Sequence, residues 1–145
     1  MKVIAVTDEQ GNIVAEKWLR LAEAVHRQLR PHLKDYVARM KEVFASNGRM
    51  RVCAIGDKVA GVAVYRIYEN THEGRRFYVD DLVTDEQERS TGVGHALLAD
   101  LQEVARTAGC DSFTLDSGTQ RTRAHRFYFR EDMFLTSFVF KKELQ

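Results

Sequence analysis

A chain of 145 residues, 44% hydrophobic and 30% charged, is long enough for one globular domain with a sizeable core. Its 22 Lys and Arg against 21 Asp and Glu leave a net charge of +1, so no overall field argues for nucleic acid or an anionic membrane as partner. No apolar run approaches a membrane span, and Cys53 and Cys110 form no CxxC pair. With an N-terminus, Met1 to Val6, that carries no signal core, the chain reads as cytoplasmic, with reduced thiols and no metal site.

Lys2 to Val6, β-branched and apolar, predicts an edge strand, and Asp8 to Asn12 a turn. Ala15 to Leu29 reads as a helix whose apolar face carries Trp18, Leu21, Ala22, Val25 and Leu29. A second helix runs from His32 to Ala45, after Pro31, and Asn47-Gly48 ends it. Met50–Ile55 and Val59–Tyr68, separated by Gly56-Asp57, form a β-hairpin. Val59 to Tyr65 is apolar on both faces, which places it centrally, covered on both sides. Glu69 to Arg76 is a polar loop and Phe77 to Thr84 the next strand. A helix follows from about Gly94 to Ala108, with Val93, Leu97, Leu101, Val104 and Ala108 on one face. Ser112–Leu115 is a strand, Thr119–Phe129 a helix and Phe134–Lys141 a closing strand. The whole is one α/β domain spanning 1–145, a mixed sheet with helices on both faces.

The most informative stretch is Arg89-Ser90-Thr91-Gly92-Val93-Gly94-His95, between a strand and a helix. Its two glycines allow a sharp turn and a close approach of backbone to a ligand. A helix start presents unpaired N–H groups and the positive end of the helix dipole, a natural place for a phosphate. A plain tight turn is the other reading of the same glycines. Nucleotide folds fit poorly, since no Lys-Ser/Thr follows and the third glycine of a dinucleotide fingerprint is missing.

The run Asp80-Asp81-Leu82-Val83-Thr84, followed by Arg89-x-x-Gly92-x-Gly94, resembles the acetyl-CoA motif of the Gcn5-related N-acetyltransferase superfamily. Ala124-His125-Arg126-Phe127-Tyr128 is similar to the second signature of that family, and the order of elements matches along nearly the whole chain. Three positions depart from the pattern. Asp132-Met133 stands for the usual Gly-Phe, Asp85 to Glu88 replaces a proline loop, and Ser117 or Thr119 takes the place of an Asn.

The resemblance implies the acyl-CoA N-acyltransferase fold and direct transfer of acetyl from acetyl-CoA to a primary amine, of a small molecule or a peptide. It implies that main-chain N–H groups of Ser90, Thr91, Gly92, Val93, Gly94 and His95 hold the pyrophosphate, with Arg89 adding charge. Leu82, Val83 and Thr84 would meet the pantetheine arm and the thioester carbonyl in the gap where two strands splay. Tyr128 would protonate the leaving thiolate, unless it is a buried tyrosine with a structural hydrogen bond. Asp80 and Asp81 are the candidate bases, or else partners of nearby arginines. Strand alternation lets at most one of them face the site, and Glu69 and His72 are weaker candidates. His26 and His32 have no ligand partners at metal spacing, His95 reads as exposed, and the Arg121–Arg130 cluster reads as a solvated helix face, with contact of Arg121 or Arg123 to the CoA 3′-phosphate as the lesser alternative, while Tyr36 could line the acceptor pocket. The oligomeric state is left open, with a homodimer through the closing strand an assembly common in the family that the chain resembles. A non-catalytic acyl-CoA-binding or sensing domain is the alternative reading.

Overall fold

The computed structural model describes residues 1–145. The elements are β1 (Lys2–Ala5), α1 (Glu16–Leu29), α2 (Tyr36–Ala45), β2 (Arg49–Ile55), β3 (Lys58–Asn70) and β4 (Gly74–Thr84), then α3 (Val93–Thr107), β5 (Ser112–Leu115) and α4 (Thr122–Arg130). The five strands form one sheet in the order β1-β2-β3-β4-β5, with β1 at the edge. The chain divides into two compact units, Met1–Thr114 and Leu115–Gln145. No helix is long and apolar enough to cross a membrane.

In the first unit the sheet is covered on both faces. Val59 to Tyr65 of β3 is buried without interruption, as an apolar run lacking alternation predicts. On one side Val62 and Val64 join Leu19, Ala22 and Val25 of α1 and Tyr36, Met40 and Phe44 of α2. On the other side α3 lies against Gly61, where an added Cβ would come within 2.6 Å of Val93 Cγ1 and 2.8 Å of Leu97 Cδ1. Gly61 therefore sets how closely the start of α3 rests on the sheet. Gly61→Val is expected to lose about 1–3 kcal/mol through overpacking. Urea unfolding checks this, and an unchanged midpoint would show that α3 can shift freely.

The helix phases differ in detail from the sequence reading. On α1, Leu19, Ala22, Val25 and His26 are buried, while Leu21 is 41% exposed. On α3 the buried row is Val93, Leu97, Leu98, Leu101 and Ala105, with Val104 and Ala108 only half-buried. α2 begins at Tyr36 rather than His32, after a left-handed residue, Asp35, at φ 49°.

Three expectations are corrected more substantially. Glu69 to Arg76 is not a loop: β3 and β4 run on to Asn70 and Gly74 in a tight hairpin. Tyr and Arg side chains pair across the strands there, Arg66 opposite Tyr78 and Tyr68 opposite Arg76, so polar composition conceals a strand. Second, β4 carries a bulge. Val64 faces Asp81 and Tyr65 faces Val79, so Asp80 has no opposite residue. Third, Phe134–Lys141 forms no strand. Phe134, Phe138 and Phe140 are 81%, 74% and 94% exposed, because β-forming composition makes no strand without a neighbour to take its backbone hydrogen bonds.

Candidate active site

The far half of β4 is open along one edge. β5 has four residues and meets the near half of β4: Asp111 N–H donates to the Arg75 carbonyl at 2.7 Å, and the Phe113 ring stacks on Phe77 at 5.0 Å. Leu82, Val83 and Thr84 pair with Ala63, Val62 and Gly61 of β3 on one side and have no strand on the other. Backbone N–H and C=O groups on such an edge are available to an amide-bearing ligand.

Beyond Thr84 the chain turns through a 3-10 segment, Glu86–Glu88, and reaches α3. Ser90 and Gly92 both take left-handed backbone, at φ 68° and 93°, and Gly92 caps the helix. This geometry gathers successive amides into a concave nest at the positive end of α3. The amides of Val93 and Gly94 lie in the first turn and meet no protein acceptor, and Arg89 is exposed and without an acidic partner. Gly92 is needed for its φ, since a Cβ there would meet open space. The strand edge and the amide nest are thus eight residues apart in sequence and held by the same pair of elements. Both suit a long ligand with a phosphate at one end and amides along its arm.

The two acidic candidates have different fates. The bulge turns both carboxylates towards basic partners, which overturns the expectation that strand alternation separates them. Asp81 accepts from His26 Nε2 at 2.7 Å and from Arg30 Nε at 2.9 Å, both on α1. Asp80 is bidentate with Arg66, at 2.7 and 2.9 Å, and Arg66 lies two residues from Val64 on the α1/α2 side of β3. Burial raises the Asp81 pKa, but the His26 and Arg30 hydrogen bonds outweigh it and hold the carboxyl below its ordinary value. His72 is 87% exposed, and Glu69 is 4.0 Å from Arg75.

His26, which the sequence reading set aside, proves to be the deepest polar side chain at the site. It is 1% exposed, and its Nδ1 lies 2.8 Å from the Tyr36 hydroxyl. Hydrogen on Nε2 lets imidazole donate to Asp81 while Nδ1 accepts from Tyr36, so every partner is satisfied. Tyr36 is 3% exposed and bonded inward, so it does not line a pocket; burial raises its pKa and keeps it neutral. One signal for this was in the sequence: His26 falls four residues after Ala22, on the buried row of α1.

In the second unit, Tyr128 lies on α4 and is half-buried. Burial raises its pKa, with a smaller opposing effect from Arg121, so the phenol keeps its proton at neutral pH. α4 starts later than predicted, because Gly118 to Arg121 forms a turn closed by Arg121 N–H on the Gly118 carbonyl. His125 contacts that same carbonyl at 2.8 Å. Both cysteines are free thiols, and burial raises each pKa, so neither is primed as a nucleophile. No group of three or more His, Cys, Asp or Glu side chains is placed to hold a metal ion.

A mixed sheet opened beside β4, with a left-handed glycine cap on the helix that follows, defines an acyl-CoA N-acyltransferase fold. An aminoglycoside N-acetyltransferase solved with a CoA-containing bisubstrate analogue superposes at a TM-score of 0.81, covering 99% of this chain and 97% of that one, at 16% identity. The profile of the acetyltransferase (GNAT) family matches residues 13–131, across both units, and the chain belongs to that family. It is 36% identical to an uncharacterised N-acetyltransferase of Bacillus subtilis, over 54% of this chain and 66% of that protein. It is 32% identical to the aminoalkylphosphonate N-acetyltransferase of Salmonella typhimurium, over 61% and 58%. The chain spans about half to two thirds of the length of the curated relatives it matches.

Proposed function

We propose that the protein transfers an acetyl group from acetyl-CoA directly to a primary amine of a small molecule. The observation that carries this reading is the pairing of an open β4 edge with a left-handed amide nest at the start of α3, in a chain of this family. The amides of Ser90 to His95 would hold the pyrophosphate, with Arg89 beside them, and the backbone of Leu82, Val83 and Thr84 would meet the pantetheine arm. When bound, acetyl-CoA supplies an activated acetyl thioester. An N–H of the Leu82–Val83 backbone would polarise its carbonyl.

The amine must lose a proton to attack. Asp81 is poorly suited to take it, being committed to His26 and Arg30 with a lowered pKa. Asp80, with 31% of its side chain exposed, is the better candidate base, directly or through water, although Arg66 shares it. Tyr128, kept protonated by burial, would return a proton to the thiolate as it leaves. With neither cysteine primed, one-step transfer is favoured over an acyl-enzyme.

The two units would serve as one catalytic domain, since the family match runs through both. Free thiols suit the cytoplasm, and the exposed apolar side chains from Phe134 to Leu144 suit a homodimer.

Calorimetric titration with acetyl-CoA tests the donor half of the proposal. Wild type is expected to bind. Gly92→Val, which forces a β-branched residue into left-handed backbone, is expected to bind about 5–30-fold more weakly, given a strain of about 1–2 kcal/mol. No binding by the wild type would end the proposal. Binding without turnover on any amine would favour the sensing alternative.

A further inference from the structure

The hairpin of β3 and β4 carries a compact block of four side chains. Arg66 lies opposite Tyr78, and Tyr68 opposite Arg76. The Arg66 guanidinium sits 5.2 Å from the ring centres of both Tyr68 and Tyr78, and that of Arg76 4.5 Å from Tyr78. All four belong to the face of the sheet that carries Asp80 and Asp81.

Charge around this block does not cancel. Asp81 takes up Arg30, and Asp80 takes up Arg66 through two hydrogen bonds. Arg76 meets no carboxylate. Its Nε donates to Thr114 Oγ1 at 2.7 Å, its Nη1 to the Tyr68 hydroxyl at 3.1 Å, and its plane rests on Tyr78. These contacts fix the guanidinium in orientation without neutralising it and leave Nη2 uncommitted. Tyr68 accepts from Arg76, which leaves its own O–H able to donate. A half-buried arginine held in this way is prepared for an oxyanion, since the ordering has been done before binding and the ring excludes water from one side.

Position along the strand suggests what the oxyanion belongs to. Tyr78 and Arg76 lie two and four residues before Asp80, about 7 and 13 Å along an extended strand. A small amine with its nitrogen beside the Asp80–Asp81 bulge would place its other end over these side chains. We infer that Arg76, with the Tyr68 hydroxyl, forms an anion subsite, and that the acceptor is a small primary amine carrying a phosphonate or carboxylate. The inference rests on the acetyltransferase reading above and narrows its substrate class.

Three acceptors of similar length separate the outcomes: 2-aminoethylphosphonate, β-alanine and ethanolamine. Wild type is expected to acetylate one of the anionic amines with a kcat/KM at least ten-fold above that for ethanolamine, and the better of the two identifies the group. Arg76→Gln should raise KM for that amine ten-fold or more while leaving ethanolamine unchanged, and Arg76→Lys should recover part of the loss. Tyr68→Phe, which removes only a hydroxyl, should give a smaller effect of the same sign. Methylphosphonate and acetate, titrated by calorimetry, give a readout that needs no turnover: one should bind wild type and not Arg76→Gln. Equal rates on all three amines, an equal loss on all three in Arg76→Gln, or no binding of either anion to wild type would overturn the subsite. Acetyl-CoA binding is measured alongside. If it persists, the subsite alone has failed; if it is absent, the acetyltransferase reading has failed with it.

Discussion

His26→Ala is expected to cost about 3–5 kcal/mol of stability, the scale on which a large, fully buried ring is lost to alanine. Imidazole fills a fully buried position between α1, α2 and β4 and satisfies two groups at once. Its removal leaves the Tyr36 hydroxyl and one Asp81 oxygen without partners, and a cavity where the ring was. Asp81 adds a pH signature. Its folded pKa lies below the ordinary 3.8, so the stability it contributes is present above that value and fades as the pH falls through the lowered one. With His26 gone, burial weighs more heavily against the carboxylate and its pKa rises. The acid unfolding midpoint of the variant should therefore move to higher pH. Urea unfolding at neutral pH, repeated down to pH 3, reads both effects. A loss below about 1 kcal/mol with an unmoved acid midpoint would show that the network is incidental.

Tyr128→Phe should lower kcat about 100-fold or more while leaving acetyl-CoA affinity within about two-fold, the usual scale of a lost general acid being 10²–10⁴. The phenol keeps its proton at neutral pH because burial raises its pKa, and the substitution removes one oxygen and little volume. Steady-state kinetics with any accepted amine, together with calorimetry on the same variant, separates proton delivery from binding. Wild-type kcat in Tyr128→Phe would remove the tyrosine from the reaction. A parallel loss of affinity would make it a binding residue instead.

Much of the architecture could be read from the chain, because long apolar runs leave little choice. Val59–Tyr65 announces a strand buried on both faces, and the Arg89–Leu98 stretch announces a turn into a helix. The errors share a physical origin: each depends on what a segment pairs with. Glu69–Arg76 looks like a loop in isolation and becomes strand because arginines and tyrosines stack across the hairpin. Phe134–Lys141 looks like a strand and pairs with none. The bulge at Asp80 leaves no mark in a pattern of period two, yet it brings both acidic candidates to one face. His26 was hidden by its company, since an imidazole among apolar neighbours discloses nothing of the carboxylate 55 residues away that it meets.

The central claim is that the amide nest at the start of α3 and the open edge of β4 bind an acyl donor so that its acyl group passes to an amine. The most direct measurement is release of CoA thiol from acetyl-CoA, followed with a thiol reagent over a panel of primary amines, with the acetylated product identified by mass. The account expects release that depends on the amine, saturates with both substrates and falls sharply in Gly92→Val. Release no faster with any amine than with buffer, from protein that binds acetyl-CoA, would contradict it.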